Sequence, residues 1–310
     1  MISVIIPTHG RRDLLAHTLD SLREQQSAPE FEVVVIDDGV DPELGAWVAS
    51  RDTGLTIRVV HHEVNRGRSA TRNTGIAEAR GDIVIFLDGD MRVVPGFVAA
   101  HAAQHVGNNT VVLGNIVTAP ELGRSAFVDY IDSRGVKKIA PGVEIPARYF
   151  MTGNSSSAAD LLRRAGGFDE EFNEYGGEDT EMGYRLAERG GTLRYAEGAV
   201  SYHLDLNSVP RMANRLRRYG ERMLPILVRK VPRAREDLGL HLAEPNTPGA
   251  PWSLRVKRWM VRLLCRRLFW LPAAHVAEHW PRALRVDALF DFVRAAAYLD
   301  GYRHSGGEGR

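Results

Sequence analysis

The sequence predicts an α/β fold: a mixed, mostly parallel sheet flanked by helices, with a basic helical C-terminal extension. Three observations point there. Short β-branched runs alternate with longer amphipathic ones over the first 120 residues, the pattern of βαβ units whose sheet is covered on both faces. The strand-like runs end on His9, Asp37, Asp38, His61 and Asp88 to Asp90, at the strand ends where open sheets bind ligands. Charge is divided unevenly, since residues 208–271 hold 15 Lys/Arg against 4 Asp/Glu and leave the rest of the chain at −10.

Strands are expected at Ser3–Ile6, Glu32–Ile36, Ile57–Val60, Ile83–Leu87 and Val111–Val117. Between the first two, Arg12–Gln26 places Leu14, Leu15, Thr18, Leu19 and Leu22 on one helical face. Residues 120–150 read as irregular, with Pro120, Pro141 and Pro146. Asn154–Ala159 reads as a polar strand, Asp179–Glu188 as a helix closed by Gly190 and Gly191, and "VSYHLD" as a short strand ending at His203. Beyond Leu206 helices are expected at Trp252–Leu271 and Leu284–Tyr298. The expected domains are 1–206, with a nucleotide-binding half at 1–120 and an acceptor and catalytic half at 121–206, then 207–303, then a disordered tail at 304–310.

The 310 residues, 44% of them apolar, suffice for a real core. Cys265, the one cysteine, excludes an intrachain disulfide and a cysteine-rich zinc module and suits a reducing cytoplasm. "MISVIIPTHG" enters a strand with no secretion signal ahead of it, and no apolar run reaches the roughly 18 to 20 residues of a membrane span.

In "GDIVIFLDGDM" a buried strand ends on Asp88 and Asp90, with no further strand expected after them. Paired carboxylates there suit Mg²⁺ or Mn²⁺, which can bridge a diphosphate; Asp and Gly are equally at home in a plain turn. In "NRGRSATRN", Arg66, Arg68 and Arg72 surround a helix start that Ser69 could cap, an arrangement for phosphate oxygens or a solvated basic turn. Glu178 and Asp179 open a helix, as acid–base groups or as ordinary first-turn acids. His203 reads as a third metal ligand or a structural histidine.

In order, PTHGR, VIDDG, NRGRSATRN, FLDGD, GGFDEEF, GGED and a later histidine resemble the family-2 glycosyltransferases of the GT-A fold over about residues 1–205. The resemblance implies a hexosyl-type transferase (EC 2.4). Pro7, Thr8, His9 and Asp38 would hold the nucleotide base, and Arg68, Arg72, Asp88 and Gly89 the rest of the nucleotide sugar. Asp90, with Asp88 and His203, would bind Mn²⁺ or Mg²⁺. Asp179 would be the catalytic base of an inverting reaction beside Glu178, and Tyr175, Gly177 and Asn154 would meet the acceptor. Two departures stand out: Thr8–His9 replaces an aromatic or Tyr-Asn pair, and Tyr175 replaces a common Trp.

The expected function is metal-dependent inverting transfer of a sugar, from a UDP-sugar by preference, to an acceptor hydroxyl on a glycan, a lipid-linked molecule or a natural product. A retaining transferase on the same fold is the alternative; a nucleotidyltransferase lacks its Gly-rich loop in PTHGRR. A third reading is a membrane- or nucleic-acid-binding protein with a degenerate site. "WSLRVKRWMVRLLCRRLFWL" suits an anionic membrane surface better than nucleic acid, giving a cytoplasmic protein peripheral to the inner face of the membrane. The competing reading is a core-packing helix with a solvated basic side.

Overall fold

The computed structural model describes residues 1–51, 54–140 and 143–305. The chain divides into two compact units, the first comprising Met1–Gly123, Asp132–Asn173 and Glu178–Leu206, the second Arg124–Ile131, Glu174–Gly177 and Asn207–Arg310.

An eight-stranded sheet organises the first unit: β1 (Ile2–Thr8), β2 (Phe31–Asp37), β3 (Ile57–His61), β4 (Ile83–Leu87), β5 (Met91–Val93), β6 (Thr110–Thr118), β7 (Asn154–Ala158) and β8 (Thr192–His203). Their order is β3-β2-β1-β4-β7-β6-β8-β5. The first four run parallel, β7 is antiparallel to both neighbours, β6 and β8 are parallel, and β5 is antiparallel to β8. Strand side chains alternate between two cores. Val34, Ile36, Val84 and Phe86 join Phe168, Met182 and Leu186 on one face, while Val33, Val35, Ile85 and Leu87 join Leu15, Leu19, Leu22 and Phe97 on the other. Burial on both faces explains why these strands read as continuous apolar runs.

Thirteen α-helices occur among the described residues. Up to residue 206 they are α1 (Arg12–Arg23), α2 (Leu44–Ala49), α3 (Arg68–Glu78), α4 (Phe97–Gln104), α5 (Ala126–Asp132), α6 (Ala159–Arg164) and α7 (Glu178–Glu188). Beyond it come α8 (Val209–Arg222), α9 (Leu224–Lys230), α10 (Ala234–Asp237), α11 (Trp252–Leu264), α12 (Arg267–Glu278) and α13 (Asp287–His304).

The structure corrects several local expectations. A strand does follow Asp90: β5 starts at Met91 and pairs Met91 with His203. Three residues are too short for a periodic signal, and the partner strand lies a hundred residues downstream. Only Asp88–Asp90 joins β4 to β5, although four strand spacings separate them in the sheet. In a flat sheet that gap would be about 19 Å, beyond the roughly 14 Å that four residue steps can span. The sheet must therefore curl, and an irregularity between Gly114 and Asn115 of β6 helps it do so. Gly114 is also sterically fixed, because a Cβ there would stand 2.0 Å from Asn154 Oδ1.

Ser69 does not cap α3. Gly67 holds that position, and Ser69 Oγ donates to the Phe172 carbonyl. The single helix expected at 252–271 is two, because Cys265 and Arg266 break the run between α11 and α12. The final helix extends to His304, the first residue of the expected tail; residues 306–310, like Pro141, lie outside the described residues.

In the second unit α8 and α13 approach closely at two glycines: a Cβ on Gly220 would lie 2.1 Å from the Tyr298 carbonyl oxygen, and one on Gly301 1.9 Å from that of Arg217. Trp270, Phe290, Val293 and Ala297 are buried there, and Phe290 stacks on Tyr130 at 4.8 Å. No described helix is long and apolar enough to cross a membrane.

A directed polar network runs beneath the curled part of the first unit. His105 Nε2 lies 2.8 Å from Ser156 Oγ, which lies 3.0 Å from His101 Nδ1, and His101 Nε2 lies 2.8 Å from Asn154 Oδ1. The Asn154 amide nitrogen donates to the Ala199 carbonyl and to Ser201 Oγ, both at 2.9 Å. An amide oxygen can only accept, so His101 is Nε2-protonated and accepts a hydrogen bond from the Ser156 hydroxyl at Nδ1, which suits a neutral ring. Burial accordingly lowers the His101 pKa to about 4. The unfolded chain then binds a proton below the ordinary histidine pKa that the native ring refuses, so stability falls as pH drops from the ordinary value toward about 4. Between about pH 7 and pH 5 this group alone should remove about 2 kcal/mol of stability. Burial lowers the neighbouring His105 to about 4 as well, so urea unfolding at the two pH values should show the sum of both, and His101→Gln should remove about half of the difference.

Candidate functional site

The site forms where β4 ends, from residues that the sheet order gathers. Asp88 leaves β4 with its N–H directed at the Gly153 carbonyl (3.4 Å), and Gly89 packs against Pro7 and Thr8, whose side chains are half-buried; His9 is exposed. The Gly89 carbonyl accepts from Thr18 Oγ1 at 3.0 Å, which ties the Asp88–Asp90 turn to α1.

Arg72, buried on the second turn of α3, lies at the centre. Its guanidinium donates to Glu178 Oε1 at 3.3 Å, stands 3.8 Å from Asp179 and 3.6 Å from Asp88, and lies 5.6 Å above the Phe168 ring. Burial works to discharge it, but Asp179, Asp88 and Glu178 outweigh that and raise its pKa above the ordinary arginine value. Burial raises the Glu178 pKa, with Asp179 adding to the rise and Arg72 and Arg68 opposing it. Glu178 Oε2 and Arg72 Nε are buried without a hydrogen-bond partner among the described residues. Arg68, at the start of α3, is exposed.

Asp179, partly exposed, is held from the other side by Thr152, whose Oγ1 donates to Oδ1 at 2.9 Å and whose N–H donates to Oδ2 at 3.2 Å. Both acids sit in the first turn of α7, where the helix dipole favours negative charge. Thr152 carries no sequence signal beyond its place just ahead of a polar strand, and its role depends on a fold that sets that loop beside α7.

Asp90 faces His203, with Oδ2 3.7 Å from Nε2. The Asp205 N–H donates to His203 Nδ1 at 3.2 Å, so the neutral ring carries its proton on Nε2, toward Asp90. Asp90 Oδ1 is buried without a partner among the described residues, and burial raises the Asp90 pKa with Asp88 and Asp205 adding to it while His203 opposes. An orphaned carboxylate oxygen of this kind fits a divalent cation. Among the described residues no three His, Cys, Asp or Glu side chains converge as a cage. For His203 to join, its proton must move to Nδ1 and the contact with Asp205 must open.

Other expected residues lie elsewhere. Asn154 is fully buried and spends its amide on His101, Ala199 and Ser201, so it is a structural residue and not an acceptor contact. Asp38 is buried; its oxygens accept from the N–H groups of Arg66 (2.8 Å) and Gly67 (3.0 Å), and His62 Nδ1 lies 3.0 Å from Oδ1. In this structure Asp38 organises the loop leading into α3. Tyr175 and Gly177 belong to the second unit, where the Arg215 guanidinium lies 3.9 Å from the Tyr175 ring centre.

A curled mixed sheet with an acidic turn at the end of a central strand is the architecture of GT-A glycosyltransferases, and solved structures share it. Mannosyltransferase PcManGT from Pyrobaculum calidifontis, in complex with GDP-Man and Mn²⁺, matches with a TM-score of 0.55 at 18% identity, covering 96% of this chain and 86% of that one. TarS 1–349 from S. aureus, in complex with UDP-GlcNAc, matches at 0.54 and 20% identity, covering 99% and 91%. Residues 3–144 match the family model described as glycosyl transferase family 2, and residues 135–207 the one described as N-terminal domain of galactosyltransferase. Over residues 3–144, a little under half of its length, the chain is similar to glycosyl transferase family 2. Chondroitin synthase of Escherichia coli is 30% identical over 235 residues, 65% of this chain and 34% of that protein. The chain spans about a third or less of the length of the curated relatives it first matches.

Replacing Arg72 by Met should destabilise the protein by about 3 kcal/mol or more, since it leaves buried Glu178 beside Asp179 and Asp88 without its cation. Denaturant unfolding at neutral pH measures that loss, and the added substitution Glu178→Gln should recover part of it.

Proposed function

We propose that this protein is a metal-dependent inverting glycosyltransferase that moves a sugar from a nucleotide-diphosphate donor, a UDP-sugar by preference, to an acceptor hydroxyl, with Asp179 as the general base. The observation that carries this reading is the separation of two carboxylate environments at one strand end. Asp90 keeps a buried, unpartnered oxygen beside His203, while Asp179 is partly exposed and held between Thr152 and Arg72. The donor complexes of the two structural neighbours, with GDP-Man and Mn²⁺ in one and UDP-GlcNAc in the other, support the donor class and the use of a divalent ion.

In this mechanism Asp179 accepts the proton of the acceptor hydroxyl as its oxygen attacks the anomeric carbon. Thr152 holds the carboxylate through both oxygens, so it meets the hydroxyl in one orientation. Arg72 carries positive charge toward Asp88 and the diphosphate region and keeps Glu178 and Asp179 compatible at short range. Thr8, His9 and Gly89 border the nucleotide end, with Asp38 acting through the loop it holds. Asp90, with His203 once its proton has shifted, would hold Mn²⁺ or Mg²⁺. Such an ion neutralises charge developing on a departing nucleoside diphosphate. Attack opposite the leaving group inverts the anomeric centre.

A screen of sugar nucleotides for hydrolysis and transfer, with Mn²⁺ or Mg²⁺ and Asp90→Ala as control, tests the reaction class. The expected outcome is release of nucleoside diphosphate that depends on the ion and is lost in the control, with NMR of the product reporting the inverted anomer. Release of pyrophosphate, or a retained anomer, overturns the assignment.

Asp179→Asn should lower kcat by at least about 10²-fold with donor KM nearly unchanged. Near-normal transfer would remove Asp179 from the role of base. Thr152→Val should lower kcat by about tenfold, the scale of one lost hydrogen bond to a charged group, again without change in donor KM. Thr152→Ser should restore most of the rate, because it returns the hydroxyl donor that a purely structural effect would not need.

A further inference from the structure

The helix α11 is turned inside out. Its one buried residue is Arg258, whose Nε donates to the His241 carbonyl at 3.0 Å and whose NH1 donates to the Pro245 carbonyl at 2.8 Å. Most of its large apolar residues face outward, with Trp252 77% and Trp259 62% exposed and Met260, Leu263 and Leu264 exposed beside them, while Leu254, Val256 and Val261 are half-buried. The exposed stripe continues into α12, where Leu268 is 75% exposed and Phe269 is exposed as well. A helix packing its apolar side into a core with a solvated basic side, the competing expectation from sequence, is therefore excluded.

Charge identifies what this face meets. Between Asn246 and Ala277 there are six Lys/Arg and no Asp or Glu. Arg255, Lys257, Arg266 and Arg267 are exposed in the same helices as the tryptophans. A second copy of the chain would bring the same cations against themselves, whereas a layer of anionic headgroups over hydrocarbon satisfies both the cations and the stripe. Trp252, Arg255, Val256 and Trp259 with Asn246 also line an open pocket of about 290 Å³, whose one cation and two indoles suit one phosphodiester headgroup.

We propose that α11 and the start of α12 form a docking surface for an anionic phospholipid membrane, with Trp252, Trp259, Leu263, Leu268 and Phe269 inserted at the interface and Arg255, Lys257, Arg266 and Arg267 at the phosphate level. Long cationic side chains reach the headgroups while their stems lie along the apolar face. This goes beyond the proposed transferase reaction and stands on different residues, so failure of one leaves the other intact.

The test is sedimentation of the full chain with vesicles of phosphatidylcholine alone and with roughly 30% phosphatidylglycerol, at low salt and at about 0.5 M salt. Expected are pelleting with the anionic vesicles only, at least about fivefold weaker at high salt, and quenching of tryptophan fluorescence by bromine-labelled acyl chains. Trp252→Ala/Trp259→Ala should lose most of the binding and quenching while keeping its circular dichroism. Absence of lipid-dependent pelleting, full binding by the double variant, or a concentration-dependent dimer by light scattering with no vesicle binding would each overturn the proposal. Quenching in the unaltered protein gives a readout that needs no variant to fold.

Discussion

One buried guanidinium holds the acidic end of the candidate site together. Arg72 lies within 4 Å of Asp88, Glu178 and Asp179, which arrive from a strand end and from a helix start more than ninety residues later. Carboxylates gathered this closely with Glu178 buried are sustained only by a paired cation, since desolvation and mutual repulsion both push toward protonation. Arg72 is itself placed by constraints on both sides. Asp38 binds the N–H groups of Arg66 and Gly67 and so fixes where α3 begins. Asn73, the next residue, exchanges hydrogen bonds with Phe168, donating to its carbonyl at 2.9 Å and accepting from its N–H at 2.7 Å. The ring of Phe168 then lies under the guanidinium.

Topology divides the rest of the site into two ends. The antiparallel strand β7 next to β4 brings Gly153 and Thr152 beside Asp88, and Thr152 grips Asp179. The short strand β5 pairs Met91 with His203 and brings the end of β8 beside Asp90. A three-residue turn thus serves both ends because the sheet curls. Its two aspartates point into different environments, Asp88 toward a cation of the protein and Asp90 toward a histidine, with one oxygen buried and unpartnered among the described residues.

How much of this could be read from sequence follows from the range of each interaction. Strands β1 to β4 and the helix α1 were legible because apolar burial on fixed faces leaves a local period, as Ile83–Leu87 and Leu15, Leu19 and Leu22 demonstrate. Asp88, Asp90, Arg72 and Glu178–Asp179 were legible as residue types at strand and helix ends, and the fold brings all but Asp90 to one guanidinium. Thr152 was not legible, since a hydroxyl ahead of a strand has no meaning until the tertiary fold sets an aspartate against it. Asn154 misled for the same reason: a polar residue at a strand start suggests a ligand contact, and only the buried His101 beneath it reveals an internal partner. The strand β5 escaped because its pairing is entirely non-local.

The orientation of α11 shows a related limit and its cause. Periodicity establishes that a helix has two faces without saying which one turns inward. Here the preceding segment decides. In "AEPNTPGAP" three prolines remove backbone donors while their carbonyls remain, so the loop presents more backbone acceptors than donors. A guanidinium with five N–H groups supplies what is missing, and Arg258 fills that role toward His241 and Pro245. Once that arginine is inward, the adjoining Trp259 and Met260 and the residues one turn away, Leu263 among them, are carried outward. The inward arginine and the outward stripe are two sides of one helix orientation, and turning α11 over would break both of these hydrogen bonds from a charged donor.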